Sequence, residues 1–247
     1  MPSWLFILSI IIQALLIIHV IKTGRNQIWI WVLALLSFAG VIAYLAAEVV
    51  PELLGSRTAK RAGRGMKKAF DPGADLRRLE NEAKVTSNVA SRQRYADELV
   101  RHGRHDEAIE IYRQTLTGLY EHDPNLMLGL AKAQFGKGDA KSARETLDSL
   151  IAANPDFKSP EGHLLYARAL ETEGNIEKSL EEYKVLAHSY PGAEAAVRYA
   201  QLLKSQGRDE EAKTVARELL EEARIAPPHY RRAQKSWLDT AERIAGR

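Results

Sequence analysis

Residues 123–147 read DPNLMLGLAKAQFGKGDAKSARETL, and the features of this stretch recur along the chain. An aspartate and a proline open the stretch, and alanines lie seven residues before and five residues after Gly138. The stretch predicts two helices joined by a tight turn at that glycine, whose backbone freedom suits the end of a helix. Asp123 with Pro124 predicts the start of the first helix, and Asp139 predicts the N-cap of the second.

The same pattern occurs four times, because turn glycines stand at positions 103, 138, 174 and 207, spaced by 35, 36 and 33 residues. Seven residues before each glycine stands a small residue, and eight before stands an aromatic residue or leucine: Ala96, Ala131, Ala167 and Ala200, with Tyr95, Leu130, Tyr166 and Tyr199. Five and nine residues after the glycines stand Ala108, Ala143, Ser179 and Ala212, then Tyr112, Leu147, Tyr183 and Ala216. The N-caps expected for the second helices are Asp106, Asp139, Asn175 and Asp209.

These four phased copies resemble the tetratricopeptide repeat (TPR), a helix-turn-helix unit of about 34 residues. The resemblance implies an all-α solenoid of about four repeats, each with a helix A before the glycine and a helix B after it. We expect the array over 74–226, with repeats at about 89–123, 124–159, 160–192 and 193–226. We expect a capping helix over 227–247 that opens at Pro228 and carries an apolar stripe at its core side: Ala233, Trp237, Ala241 and Ile244.

Two apolar runs precede the array, from Ser3 to Ile21 and from Ile28 to Val50. Each run is long enough to cross a hydrocarbon core of about 30 Å as a helix. A signal peptide is the rival interpretation of the first run, but the segment before Trp4 lacks a basic residue and no Ala-x-Ala site precedes the second run. We therefore predict a two-helix transmembrane hairpin over 1–54.

A glycine-rich linker is predicted over 55–73, and it contains six basic residues and no acid between its first and last cation: Arg57, Lys60, Arg61, Arg64, Lys67 and Lys68. The loop between the runs carries only Lys22 and Arg25. The positive-inside rule therefore predicts a two-pass protein of a bacterial inner membrane with the array in the cytoplasm. The basic residues could set topology alone, or could also bind anionic lipid headgroups.

Residues 12–55 resemble the N-terminal membrane module of bacterial cardiolipin synthases and related phospholipase D-type proteins. The shared features are His19 before a basic loop, Trp29 and Trp31 at the start of the second run, and Gly40 with Tyr44 inside it. That family usually has a proline where Ser37 stands. The resemblance implies a membrane module only, because none of the seven histidines has a lysine two residues later, as the catalytic motif of that family requires.

No residue pattern predicts catalysis or a cofactor. The chain has no cysteine, so a thiolate metal site is excluded. His102 and His105 flank a turn without a third ligand in view, and Gly136-Lys137-Gly138 lacks the first glycine and the Ser/Thr of a phosphate loop. We expect these residues to be ordinary turn residues, and we expect neither a metal nor a nucleic-acid partner.

The TPR resemblance implies that helix A lines a peptide-binding surface. We call this surface the helix-A face, and its positions lie ten, six and three residues before each turn glycine. They are Gln93, Leu128, Leu164 and Val197; then Asp97, Lys132, Arg168 and Gln201; then Val100, Phe135, Glu171 and Lys204. The apolar residues with the neighbouring cations Lys132 and Arg168 favour an acidic or carboxylate-bearing peptide, although the same residues could simply pack or face solvent.

The sequence therefore predicts a non-catalytic, membrane-anchored scaffold that binds a protein or peptide partner, with membrane lipids as a further partner. Two alternatives stay open. The chain could be an accessory or regulatory subunit of a lipid-metabolic enzyme, or a periplasmic assembly factor if the topology is inverted.

Overall fold

The computed structural model describes residues 14–22, 28–35, 73–86 and 88–246. Over these residues the regular structure is helical and contains no strand. The chain divides into two compact units, Met1–Ala74 and Asp75–Arg247.

The N-terminal unit contains helix α1 over residues 14–22 and helix α2 over Ile28–Leu35. Val20 and Leu33 are fully buried in one apolar cluster, and Leu16 and Trp29 pack against it. Within the described parts of the chain, no helix combines the length and apolar character needed to cross a bilayer. Most of both apolar runs, and all six cations between Arg57 and Lys68, lie outside the described residues.

The C-terminal unit is a series of helices. The helices are α3 (Ala74–Thr86), α4 (Val89–Arg101), α5 (His105–Thr115), α6 (Pro124–Lys137), α7 (Ala140–Ala153), α8 (Pro160–Thr172), α9 (Ile176–Ser189), α10 (Glu194–Ser205), α11 (Asp209–Ile225), α12 (Pro228–Ala233) and α13 (Lys235–Ala245). Each repeat expected from the sequence contains one helix A and one helix B: α4 with α5, α6 with α7, α8 with α9 and α10 with α11.

Within each repeat, the turn glycine adopts the left-handed backbone conformation that ends helix A, as at Gly138 with φ 94°. Asp123 caps α6 by accepting the N–H groups of Asn125 and Leu126, both at 3.0 Å. Ser159 caps α8 and Asp139 caps α7 in the same manner.

The other three N-caps expected for B helices do not form. Asp106 and Asp209 lie inside the first turns of α5 and α11, where a carboxylate still favours the positive end of the helix dipole. Asn175 occupies the N-cap position of α9, but its side chain accepts no hydrogen bond from the helix.

Consecutive helices pack against each other from α4 to α11, and helix A also contacts the next helix A in two places, α4 with α6 and α6 with α8. The alanines seven residues before the turn glycines are fully buried at these contacts. Because these sites have no free space, a larger side chain would overpack them.

At the C-terminus, the single helix expected from Pro228 is split at Gln234 into α12 and α13. The side-chain oxygen of Gln234 accepts a hydrogen bond from the backbone N–H of Ala193 at 3.2 Å. This bond connects the residue between α12 and α13 to the start of repeat 4. Ala233 is exposed, whereas Ala241 and Ile244 are buried. Helix α13 packs on α10 and α11, which is the position that helix A of a further repeat would occupy.

Candidate functional site

The innermost residues of the helix-A face lie in the repeat core. Leu128, Leu164 and Val197 are each less than 10% exposed, and Leu164 and Val197 share a cluster with Tyr183. Gln93 is half-buried. The open part of this face is therefore formed by the two outer sets of positions, which carry most of its charge.

Lys132 and Arg168, the two predicted cations, each contact a neighbouring repeat. The Lys132 Nζ atom lies 2.6 Å from the Oε2 atom of Glu161 on α8. The guanidinium carbon of Arg168 lies 4.8 Å from the centroid of the Phe135 ring on α6, a cation–π contact. The Lys132–Glu161 pair is solvent-accessible, so it contributes at most about 1 kcal/mol to stability.

Two buried tyrosines hold the acidic residues of the helix-A face. The hydroxyl group of Tyr112 donates to Asp97 Oδ1 at 2.6 Å, and that of Tyr183 donates to Glu171 Oε2 at 2.7 Å. Burial, and then the hydrogen bond to the carboxylate, raise the pKa of both tyrosines far above the ordinary value. Both carboxylates are thereby fixed in position at the surface.

The last repeat extends the helix-A face toward the C-terminal cap. Gln201 and Lys204 are exposed, and with Thr240 and Arg243 of α13 they line a shallow hollow of about 250 Å³. Val100, in the first repeat, is half-buried. The cap therefore adds a cation to this face that the repeat pattern alone did not predict.

A larger cavity, of about 450 Å³, lies between repeats 2 and 3, and we call it the 2–3 cavity. Its walls come from α6, α7, α8, α9 and the segment before α8, and include Leu147, Leu150, Phe157 and Leu186. His163 and Glu182 also line it, with the His163 Nε2 atom 2.6 Å from Glu182 Oε2. No repeat position of the exposed part of the helix-A face lines this cavity, so the repeat pattern did not predict it.

The turn residues that resemble other sites are accounted for by local contacts. Lys137 pairs with Asp106 at 2.6 Å, and Gly138 ends α6. His102 Nε2 lies 3.2 Å from Glu98 Oε1, and the His105 ring packs on Gly136. Over the described residues, no group of three or more His, Cys, Asp or Glu side chains is arranged to hold a metal ion.

The sequence model of the tetratricopeptide repeat matches residues 99–169 of this chain. The structure is similar to TTC0263, a thermophilic TPR protein of Thermus thermophilus, with a TM-score of 0.51 and 21% identity over 75% of this chain and 95% of that chain. It is also similar to MamA (residues 41 to the end) from Desulfovibrio magneticus RS-1, with a TM-score of 0.55 and 15% identity over 67% of this chain and 93% of that one.

At these identities the likeness shows the fold alone, an all-helical TPR-like solenoid over the described residues. No curated protein sequence matches the chain. TPRs generally act as protein-interaction scaffolds and are typically non-catalytic.

Proposed function

We propose that this chain is a membrane-anchored, non-catalytic scaffold whose TPR-like array binds an acidic protein or peptide segment on the helix-A face. The observation that carries this proposal is the pair of cations Lys132 and Arg168 on that face, each of which contacts a neighbouring repeat. Lys132 lies beside Glu161 of α8, and Arg168 is held against the Phe135 ring of α6. Such preorganisation lowers the entropic cost of binding a partner.

The two central cations favour a carboxylate ligand. A guanidinium stacked on an aromatic ring keeps its N–H donors at its edge, and over the described residues the side chain of Arg168 forms no hydrogen bond. Those donors match a carboxylate in fork geometry. Glu161 is 68% exposed, so a carboxylate of the partner can replace it beside Lys132 with little rearrangement.

Membrane anchoring is supported by the two apolar runs and by the surface of α1 and α2. Leu15 and Trp31 are 60% and 68% exposed, and Ile18 and Ile21 are exposed as well. Exposed apolar surface costs about 25 cal/mol per Å² in water, and a lipid environment removes that cost. We further propose the inner membrane of a bacterium, the array in the cytoplasm, and contact of the cations between Arg57 and Lys68 with anionic lipid.

A second candidate function is an accessory or regulatory subunit of a lipid-metabolic enzyme, which only the N-terminal resemblance favours. A third is a periplasmic assembly factor, which requires the opposite topology. A reporter active only in the cytoplasm, fused after Arg247, distinguishes the third from the others. Activity of that reporter supports the cytoplasmic array, and activity of a periplasm-only reporter at the same position supports the assembly factor.

Partner binding is tested by cross-linking and affinity purification from membranes, followed by titration of the recovered partner. The Lys132→Ala/Arg168→Ala variant is expected to bind about tenfold more weakly or worse, because hydrogen bonds to charged groups contribute about 1.5–3 kcal/mol each. A matched control is Lys141→Ala/Lys184→Ala, which removes two exposed lysines from helices B of the same repeats. Full affinity in both the double variant and Phe135→Ala would rule out the helix-A face as the binding site.

A further inference from the structure

The 2–3 cavity exists because two positions that are filled at the preceding junction carry smaller residues here. A junction is the contact between helix B of one repeat and helix A of the next. At the 1–2 junction the residue nine after the turn glycine is Tyr112 and the residue twelve before the next turn glycine is Leu126, and both are fully buried. At the 2–3 junction the same positions carry Leu147 and Gly162, and both line the cavity.

The cavity has an apolar interior and a mouth that suits a protein ligand. Leu150, Phe157 and Leu186 contribute apolar walls. Ile151, also in the lining, is 55% exposed, which places an apolar side chain at the mouth. A preformed apolar cavity with a few polar groups at its edge is the usual form of a binding site for a bulky side chain or small ligand.

The polar groups of the lining indicate what kind of side chain fits. Glu182 supplies a carboxylate to the 2–3 cavity, held by His163. At two other places in the array a tyrosine hydroxyl donates to a carboxylate: Tyr112 to Asp97 and Tyr183 to Glu171. Lys158, also in the lining, is exposed and forms no ion pair over the described residues, so its charge is available to a ligand.

We propose that the 2–3 cavity binds an aromatic side chain with a polar tip, tyrosine or tryptophan, from a partner segment that carries an acidic residue beside it. The ring occupies the space left by Leu147 and Gly162. Its O–H or N–H donates to Glu182, and the neighbouring acid pairs with Lys158. Aromatic residues seated in such pockets typically dominate the energy of a protein interface.

This site is separate from the helix-A face and independent of membrane anchoring. Its lining includes Leu128 from the inner row of that face, but none of the exposed charged residues there. The Lys132→Ala/Arg168→Ala substitutions therefore leave the lining of the 2–3 cavity unchanged. The two sites are distinguished by variants that affect only one of them.

The experiment uses the full-length chain with methyl-labelled leucine and isoleucine, titrated with the capped dipeptide acetyl-Asp-Trp-amide. Saturable shifts are expected at the methyl groups of Leu147, Leu150 and Ile151, while the buried Leu99 and Leu203 elsewhere in the array stay unchanged. Acetyl-Asp-Ala-amide is expected to cause no saturable shift, and acetyl-Lys-Trp-amide is expected to bind more weakly. Shifts that do not saturate, or that lie outside the cavity, would overturn the proposal.

Two variants and one control test the site from the protein side. Lys158→Glu, at an exposed position, is expected to weaken acetyl-Asp-Trp-amide about threefold or more, because it replaces an attraction with a repulsion. Lys141→Glu, an equally exposed reversal outside the lining, is the matched control and should leave affinity unchanged. Gly162→Leu, which introduces the residue of the 1–2 junction, is expected to abolish binding if the circular dichroism spectrum shows that the variant folds.

The Lys158→Glu result decides the matter if Gly162→Leu does not fold. Equal affinity of wild type and Lys158→Glu for the acidic dipeptide would show that Lys158 does not select the ligand, and the proposal would be wrong.

Discussion

The 1–2 and 2–3 junctions are built on the same repeat, yet one is closed and the other is open. At the 1–2 junction the Tyr112 ring lies against Gly129 so closely that a Cβ atom on this glycine would be 2.5 Å from the tyrosine Cζ atom. At the 2–3 junction the smaller Leu147 side chain lines a cavity of about 450 Å³. The difference arises from side-chain size at equivalent positions, while the helix pairing is retained.

The closed junctions therefore contribute to stability, whereas the open junction offers a surface for binding. Side chains that fill a junction stabilise the fold by packing, whereas an open junction leaves apolar surface available to a partner. The 3–4 junction returns to the closed form, since Tyr183 is fully buried there. We infer that repeats 2 and 3 are joined less tightly than their neighbours.

The largest expected effect comes from emptying the closed junction. Tyr112→Ala should lower the free energy of unfolding by about 3–5 kcal/mol, the range for removing a buried aromatic ring. Leu147→Ala should cost less, about 2–3 kcal/mol, because the side chain already borders a cavity and loses fewer contacts. Urea denaturation of both variants measures the difference. A larger loss for Leu147→Ala would mean that the 2–3 junction is the tighter one.

A smaller effect comes from adding one methyl group to each junction. Gly129→Ala should destabilise the array by about 1–3 kcal/mol, because the new Cβ overlaps the anchored Tyr112 ring. Gly162→Ala should change stability by less than about 0.5 kcal/mol. Its Cβ would lie 3.3 Å from Leu128 Cδ1 and from Ser159 Cβ, and the higher helix propensity of alanine offsets these mild contacts.

Thermal melting of the two alanine variants provides a direct comparison, since the substitution is identical. A double-mutant cycle with Tyr112→Leu checks the cause, because the smaller side chain should relieve most of the cost of Gly129→Ala. Equal melting temperatures for Gly129→Ala and Gly162→Ala would contradict the assignment of closed and open junctions.

The repeat phase and the starts of the helices capped by Asp123, Asp139 and Ser159 could be predicted from the sequence, because both depend on local chemistry. A left-handed turn needs glycine, and a helix start needs a short polar side chain, so Gly138 and Asp123 identify their own positions. Ala96 and Ala131 follow from the same phase, and both are buried as expected. The split of the last helix was not predicted, because the Gln234–Ala193 hydrogen bond joins residues 41 positions apart.

The partners of the helix-A face could not be predicted from single positions. Lys132 and Arg168 occupy equivalent positions in neighbouring repeats, but the ion pair with Glu161 and the contact with Phe135 depend on the three-dimensional stacking of repeats. The 2–3 cavity had a sequence signal that was not used: Gly162 stands where Leu126 does in the preceding repeat. A comparison of side-chain volumes at equivalent positions of the repeats indicates an unfilled junction.

The smallest effect tests the hydroxyl groups of Tyr112 and Tyr183, whose hydrogen bonds join helix A to helix B within repeats 1 and 3. Tyr112→Phe and Tyr183→Phe keep the ring and remove only the hydrogen bond to Asp97 or Glu171. Each should lower the free energy of unfolding by about 0.5–1.5 kcal/mol at neutral pH. Leu147 stands at the equivalent position of repeat 2 and has no hydroxyl group, so repeat 2 has no such contribution from this position.

Alkaline pH should remove the stability advantage of the wild type over the phenylalanine variants. The pKa of both buried tyrosines is raised in the folded chain, first by burial and then by hydrogen bonding to a carboxylate, whereas a tyrosine in the unfolded chain ionises near its ordinary pKa of about 10. Above that pH the unfolded state binds fewer protons than the folded state, so wild-type stability should fall by up to about 1.4 kcal/mol per pH unit for each tyrosine. The phenylalanine variants lose this dependence at the substituted site.

Urea denaturation between pH 7 and pH 11 should therefore show the stability of the wild type and of the Tyr112→Phe/Tyr183→Phe variant converging above pH 10. A constant gap over that range would show that both hydroxyl groups ionise as readily in the folded array as in the unfolded chain, which would contradict their burial beside Asp97 and Glu171.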